Sequence, residues 1–143
     1  MCLNGLMIHI HNYYLWLKHG WKEMAFDWKK PTVQMLGRWQ PWHEGHTELF
    51  KRALSKTGQV CIMIRDMQTN ENNPLAGGQV SEIIQSTLEK EGFTYNQEYV
   101  IISVPNITNI TYGRNVGYTI TQEKLDKEIE SISATKIRQQ GNI

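Results

Sequence analysis

The stretch from Gly37 to His46 constrains the fold most strongly, because it joins two different hydrophobic patterns through a turn. A short apolar run, residues 33–36, precedes it, and residues 47–54 after it place apolar side chains at helical spacing. This order predicts a strand, a tight turn and a helix. Such a turn can hold a polyphosphate against backbone N–H groups at the start of a helix.

The side chains of this turn suit phosphate binding. Gly37 allows close approach of the backbone to a ligand, Gly45 lets the helix begin near the phosphates, and Arg38 offers donors to phosphate oxygens. His43 and His46, three positions apart, can each donate a hydrogen bond to the same phosphate chain as charge develops. A metal-binding pair is the alternative, but no third ligand with suitable spacing accompanies it.

A second phosphate-type stretch covers residues 132–138. Ser133 is predicted to cap a final helix over residues 134–140, where Ser133 and Thr135 supply hydroxyls and Arg138 supplies a fork of donors. Taken alone, this stretch is typical of an ordinary capped surface helix. Together with the first motif it indicates a second contact to the same phosphates.

The order of hydrophobic patterns predicts one α/β domain. Residues 33–36 have the apolar character of a central parallel strand. The further predicted elements are a strand at 59–64, a helix at about 79–91, a strand at 99–104, a short fourth strand at 116–120 and a charged helix or surface excursion at 123–130. We therefore expect a Rossmann-like parallel sheet with helices on both faces, in a single domain.

Polar residues follow two strands at the edge where parallel α/β sheets bind ligands. Asp66 is a candidate for Mg²⁺ or a ribose, and Arg65 for an acceptor phosphate. Asn106, Tyr112 and Arg114, in the loop after residues 99–104, are candidate acceptor contacts. An ordinary polar surface is the alternative for both groups.

Bulk properties exclude several other classes. A net charge of +1 over 143 residues argues against broad nucleic-acid binding, and no segment has the ~18 apolar residues that cross a bilayer. Cys2 and Cys61 are far apart, which predicts neither a disulfide framework nor a cysteine zinc site and favours a reducing, cytoplasmic compartment. The oligomeric state stays open, a homo-oligomer included.

The first thirty residues are rich in aromatic residues and differ from the rest. We interpret residues 1–30 as an N-terminal extension that packs loosely or not at all, and residues 31–143 as the domain. The N-terminus lacks the basic region of a secretion signal. His9 and His11 alternate with isoleucines, so a metal pair on one strand face is the rival interpretation.

The two motifs resemble the signatures of the nucleotidyltransferase superfamily. Residues 37–46 resemble its His-x-Gly-His signature, and residues 132–138 its Ile-Ser-x-Thr-x-x-Arg signature. The nearest pattern is the archaeal-type nicotinamide-nucleotide adenylyltransferase, which has Gly-Arg-Phe-Gln-Pro where this chain has Trp39, and an Asn-Pro matched by residues 73–74. Cytidylyltransferase-like domains are similar too. The resemblance covers about residues 32–141.

The resemblance implies nucleotidyl transfer from ATP, or CTP, to a small phosphorylated acceptor such as nicotinamide mononucleotide, with Mg²⁺ on the triphosphate. It implies that His43 and His46 hold the triphosphate and stabilise the pentavalent phosphorus, with Arg38 on phosphate oxygens. Ser133, Thr135 and Arg138 would hold the β- and γ-phosphates. Catalysis would then be mostly positioning and charge stabilisation.

The chain departs from the family pattern in two places. The family has Gly-Glu-Arg where this chain has Gly78-Gln79-Val80, so a phosphate-facing arginine is absent. Only a short stretch, 113–131, replaces the longer segment that receives the adenine base. A degenerate nucleotide-binding module without turnover is therefore the rival to an enzyme.

Overall fold

The computed structural model describes residues 25–114 and 117–141. Their three strands, β1 (Val33–Gly37), β2 (Val60–Arg65) and β3 (Tyr99–Val104), form one parallel sheet in the order β1-β2-β3. The helices of this part are α1 (Glu44–Thr57), α2 (Gly77–Lys90), α3 (Lys127–Glu130) and α4 (Ala134–Gln139). The parallel sheet with helices packed around it confirms the predicted Rossmann-like α/β fold.

The core forms where the apolar stripe of each long helix meets one face of the sheet. On β2, alternate residues Val60, Ile62 and Ile64 are buried, as the two-residue period of a strand requires. Phe50 of α1 and Ile84 of α2 are fully buried against this cluster. Each of the loops that follow the carboxyl ends of β1 and β2 therefore leads into a helix that is packed on the sheet.

The strand β1 lies at one edge of the sheet, and β2 occupies the centre. The prediction that residues 33–36 form a central strand is therefore wrong for the described part of the chain. Gln34 interrupts the apolar run and is exposed, so β1 is not covered on all sides. Among residues 25–114 and 117–141, no further strand pairs with its outer edge.

The predicted fourth strand is also not present in residues 117–120, the part of that segment the structure describes. Gly117 adopts a left-handed backbone with φ of 90°, which interrupts an extended run. Tyr118 and Ile120 are exposed, so no burial compensates the cost of ordering them into a sheet.

The charged segment after this loop is only partly helical, and ion pairs attach it to α1. Glu123 accepts from Lys56 at 2.5 Å and lies 3.9 Å from Arg52, which also donates to the carbonyl of Lys124. The hydrogen bond from Lys56 lowers the pKa of the Glu123 carboxyl. These contacts attach the segment before α3 to the second half of α1.

Only the end of the predicted N-terminal extension falls within the described residues. Phe26 is buried and donates its N–H to the carbonyl of Asn96, so this part packs on the domain. The predictions for residues 1–24, including the His9–His11 pair, lie outside the described residues. In the part of the chain that the structure describes, no helix is long and apolar enough to cross a membrane.

Candidate active site

The buried indole of Trp39 anchors the turn after β1 to the sheet. This residue has φ of 53°, a left-handed backbone that costs a bulky side chain about 1–3 kcal/mol. Its ring is buried and its Nε1 donates to the carbonyl of Met63 at 3.0 Å. A Cβ on Gly37 would lie 2.8 Å from this ring, so the glycine makes room for Trp39.

The histidine pair forms the first turn of α1. His43 is the N-cap residue: its Nδ1 accepts from the N–H of Gly45 at 3.1 Å, and its own N–H donates to Nδ1 of His46 at 3.1 Å. The two rings stack with centroids 3.7 Å apart. A Cβ on Gly45 would lie 2.9 Å from Cε1 of His43, so this glycine lets the ring fold back over the helix.

These contacts determine which nitrogen of each ring faces a ligand. Burial lowers the pKa of His43, and burial together with the charge of His43 lowers the pKa of His46 to about 3. Both imidazoles are therefore neutral near pH 7. Because each Nδ1 accepts from a backbone N–H, the proton of each neutral ring sits on Nε2. The pair thus presents two neutral N–H donors.

The second motif meets the first through Arg138. Ser133 caps α4, accepting from the N–H of Lys136, as predicted. Arg138 donates through Nη1 to the carbonyl of Gln40 at 2.5 Å and through Nη2 to Oγ1 of Thr135 at 3.2 Å. The structure therefore brings Arg138 to the turn that carries the histidines.

Two further residues hold this turn that we had not selected from the sequence. Gln40 is buried and pairs its side-chain amide with the backbone of Leu75. Asn73 is buried and accepts from Arg38 at 3.4 Å. The signals available were the glutamine inside the first motif and the Asn-Pro match at residues 73–74.

At the carboxyl ends of β2 and β3, Arg65 meets Asn106. Its Nη2 donates to Oδ1 of Asn106 at 2.8 Å, and its buried Nε has no partner among residues 25–114 and 117–141. Asp66 is exposed beside them, and its N–H donates to the carbonyl of Val104. This corner offers a guanidinium and a carboxylate to a ligand at the edge of the sheet.

The remaining candidate acceptor residues lie elsewhere. Tyr112 packs edge-on against Tyr118, and both line a groove along β1 together with Gln34 and Leu36. Arg114 is exposed, next to the undescribed residues 115–116. Across the described chain, no three His, Cys, Asp or Glu side chains converge as metal ligands.

Similarity to known proteins agrees with this geometry. The chain is 36% identical over 84 residues to the nicotinamide-nucleotide adenylyltransferase of Thermoplasma acidophilum, covering 57% of this chain and 46% of that protein. It is 34% identical over 73 residues to the Ignicoccus hospitalis protein of the same name, covering 50% of this chain and 42% of the relative. The chain is related to the nucleotidyltransferases. These matches support the resemblance to the nucleotidyltransferase family over about half of the chain.

The matches cover part of the chain and part of each relative. No family model matches the chain. The chain spans less than half the length of these curated relatives. Val80, which stands where the resemblance predicts an arginine, is buried in the core between the sheet and α2.

Proposed function

We propose that the chain is a nucleotidyltransferase that transfers an adenylyl group from ATP to a small phosphorylated acceptor such as nicotinamide mononucleotide. An acceptor phosphate oxygen attacks the α-phosphorus, the bond from that phosphorus to the β-phosphate oxygen breaks, and pyrophosphate leaves. The observation that carries this proposal is the meeting of Arg138 with the turn that bears His43 and His46. The choice of ATP and nicotinamide mononucleotide as substrates rests on the names of the relatives.

In the proposed site, the arginines supply positive charge and the histidines supply directed hydrogen-bond donors. Arg38 and Arg138 supply positive charge and planar hydrogen-bond donors toward a triphosphate. His43 and His46 supply neutral, directed Nε2–H donors that are held in place before substrate arrives. Preorganised donors of this kind stabilise charge that develops in the transition state without reorganising during the reaction.

Mg²⁺ fits this proposal as a partner of the substrate. Mg²⁺ prefers phosphate oxygens, water and one or two carboxylates to an all-protein cage, and the described residues contain no cluster of three carboxylate or histidine ligands. Asp66, exposed at the end of β2, is the residue that would contact it. Bound to the phosphates, the ion would reduce their negative charge.

The acceptor would bind at the Arg65 corner. Arg65 ends β2 at the edge of the sheet where parallel α/β folds bind ligands, and its guanidinium is a suitable donor to an acceptor phosphate. Asn106 holds the same guanidinium from the other side. Tyr112 and Arg114 have no comparable support, since Tyr112 lies along the edge of β1.

One observation favours a second candidate, a nucleotide-binding module without turnover. The resemblance places the base-binding segment at residues 113–131, where the described residues form one short helix, α3, and no strand. A CTP-using enzyme would have the same phosphate site. The absence of nucleic acid and membrane partners, the cytoplasmic location and the oligomeric state all stay predictions.

The test is pyrophosphate release from ATP, CTP, GTP and UTP, each paired with a panel of phosphorylated acceptors. We expect release with ATP and nicotinamide mononucleotide. Release with CTP alone would support the cytidylyl alternative. No release with any pair, together with measurable ATP binding, would support the binding module and overturn the proposed enzyme.

A further inference from the structure

Gln40 joins three parts of the chain that lie far apart in sequence. Its side chain is 5% exposed and makes two hydrogen bonds to the backbone of Leu75: Nε2 donates to the carbonyl at 2.8 Å, and the N–H of Leu75 donates to Oε1 at 2.9 Å. Its own carbonyl accepts from Arg138. One residue therefore contacts the histidine turn, the loop before α2 and the second motif.

The loop that Gln40 holds leads toward the acceptor side of the proposed site, which is the corner formed by Arg65 and Asn106. The helix α2 begins at Gly77, two residues after Leu75, and a Cβ on Gly77 would lie 4.0 Å from Oγ of Ser103 near the end of β3. Arg65 is the last residue of β2, and its partner Asn106 lies two residues after the end of β3. Gln40 thus lies between the phosphate-binding turn and the elements that would receive the acceptor.

We propose that Gln40 is a positioning residue that keeps the loop around Leu75, and with it the acceptor side, in register with His43 and His46. This rests on the proposed nucleotidyl transfer. In-line attack requires the two substrates to meet at a defined distance, and a misplacement of about 1 Å can lower the rate by roughly 10²-fold. A buried amide with both of its bonding functions satisfied is a rigid spacer.

The chain contains a matched control for this residue. Gln59 is 6% exposed and also pairs with the backbone of one residue, Asp27, donating to its carbonyl at 2.7 Å and accepting from its N–H at 3.2 Å, and its Nε2 donates in addition to Oγ1 of Thr32 at 2.7 Å. Gln59 directly precedes β2, at the amino end of the sheet and away from the histidine turn. Loss of its amide should therefore cost stability without moving the proposed site.

The experiment compares Gln40→Met with Gln59→Met in the full chain, by urea unfolding, steady-state kinetics and amide hydrogen exchange. We expect both variants to lose stability, and Gln59→Met to lose at least as much as Gln40→Met because its Nε2 also bonds Thr32. Only Gln40→Met should lose kcat, by about 10²-fold, while KM for the triphosphate changes by less than about threefold. Equal kcat losses in the two folded variants, or an unchanged kcat in Gln40→Met, would overturn the positioning role.

Hydrogen exchange separates this proposal from the proposed function. The amide of Leu75 and those of α4 should exchange faster in Gln40→Met and at the wild-type rate in Gln59→Met. If the wild-type chain releases no pyrophosphate with any substrate pair, nucleotidyl transfer is wrong, and the exchange rates still decide whether Gln40 links these elements. Unchanged exchange at Leu75 and α4 in Gln40→Met would refute the link.

Discussion

Arg138 donates its guanidinium to the backbone carbonyl of Gln40 across 98 positions of sequence, at 2.5 Å. This hydrogen bond is where the two motifs meet, since Gln40 lies three residues before His43. A backbone carbonyl accepts from any side chain of suitable reach, so the bond positions Arg138 without a dedicated partner side chain. The remaining donors of the fork stay available to phosphate oxygens.

Replacing Arg138 with lysine should lower the rate of pyrophosphate release by about 10–100-fold, because a lysine cannot bond Gln40 and a phosphate with one planar fork. Steady-state assays with saturating acceptor would measure this. Gln139→Ala is the control, an exposed position on the same helix, and it should retain the wild-type rate. Full activity in the Arg138→Lys variant would contradict the assigned role.

Replacing His46 with alanine should reduce turnover by about 10²–10³-fold, the usual effect of losing one preorganised donor. Stability should fall by only about 1 kcal/mol, since the N–H of His43 loses one acceptor in a half-buried place. Single-turnover assays and urea unfolding would measure the two effects. Turnover at the wild-type level in a folded variant would rule out the proposed role.

The stability of the chain should decrease as the pH falls below about 6.5, the pKa of an unfolded histidine. The folded pKa of His46 is lowered to about 3, so between these values the unfolded chain binds a proton that the folded chain does not. Stability is therefore complete above about pH 6.5 and falls by up to about 1.4 kcal/mol per pH unit below it. The lowered pKa of His43 acts in the same direction.

Urea unfolding from about pH 7.5 to about pH 4.5 would measure this dependence. The His46→Asn variant is the control, since it has no imidazole at this position and should show a smaller slope. If both chains had the same slope, the pH dependence would come from other groups.

Gly45→Ala should impair activity by displacing the ring of His43, whose Cε1 lies 2.9 Å from the added methyl position. We expect a loss of about 10-fold or more in kcat, because the donor leaves its preorganised position. The stability comparison is Gly78→Ala, also in the first turn of a helix, where an added methyl group meets no atom within 4 Å. Gly78→Ala should be more stable by about 0.5–1 kcal/mol, and Gly45→Ala should not share this gain.

Much of the fold followed from local patterns. The strand at 99–104 and the cap at Ser133 were predicted at the observed positions, because apolar periodicity and cap chemistry act within a few residues. The helix after the first turn begins at Glu44, three residues before the predicted apolar stripe, because His43 caps it. Residues 117–120 of the predicted fourth strand pair with no strand in the described chain, because their exposed side chains gain no burial in a sheet.

The sequence by itself predicted which residues form a phosphate site, since glycines, histidines and arginines at this local spacing are typical of a phosphate-binding turn, and that role stays a prediction. Only the tertiary structure decided how that site is held. Gly37 makes room for the indole of Trp39, β1 lies at the edge of the described sheet, and Gln40 ties the turn to Leu75 and Arg138. These relationships join residues far apart in the chain, so they depend on packing that no local pattern contains.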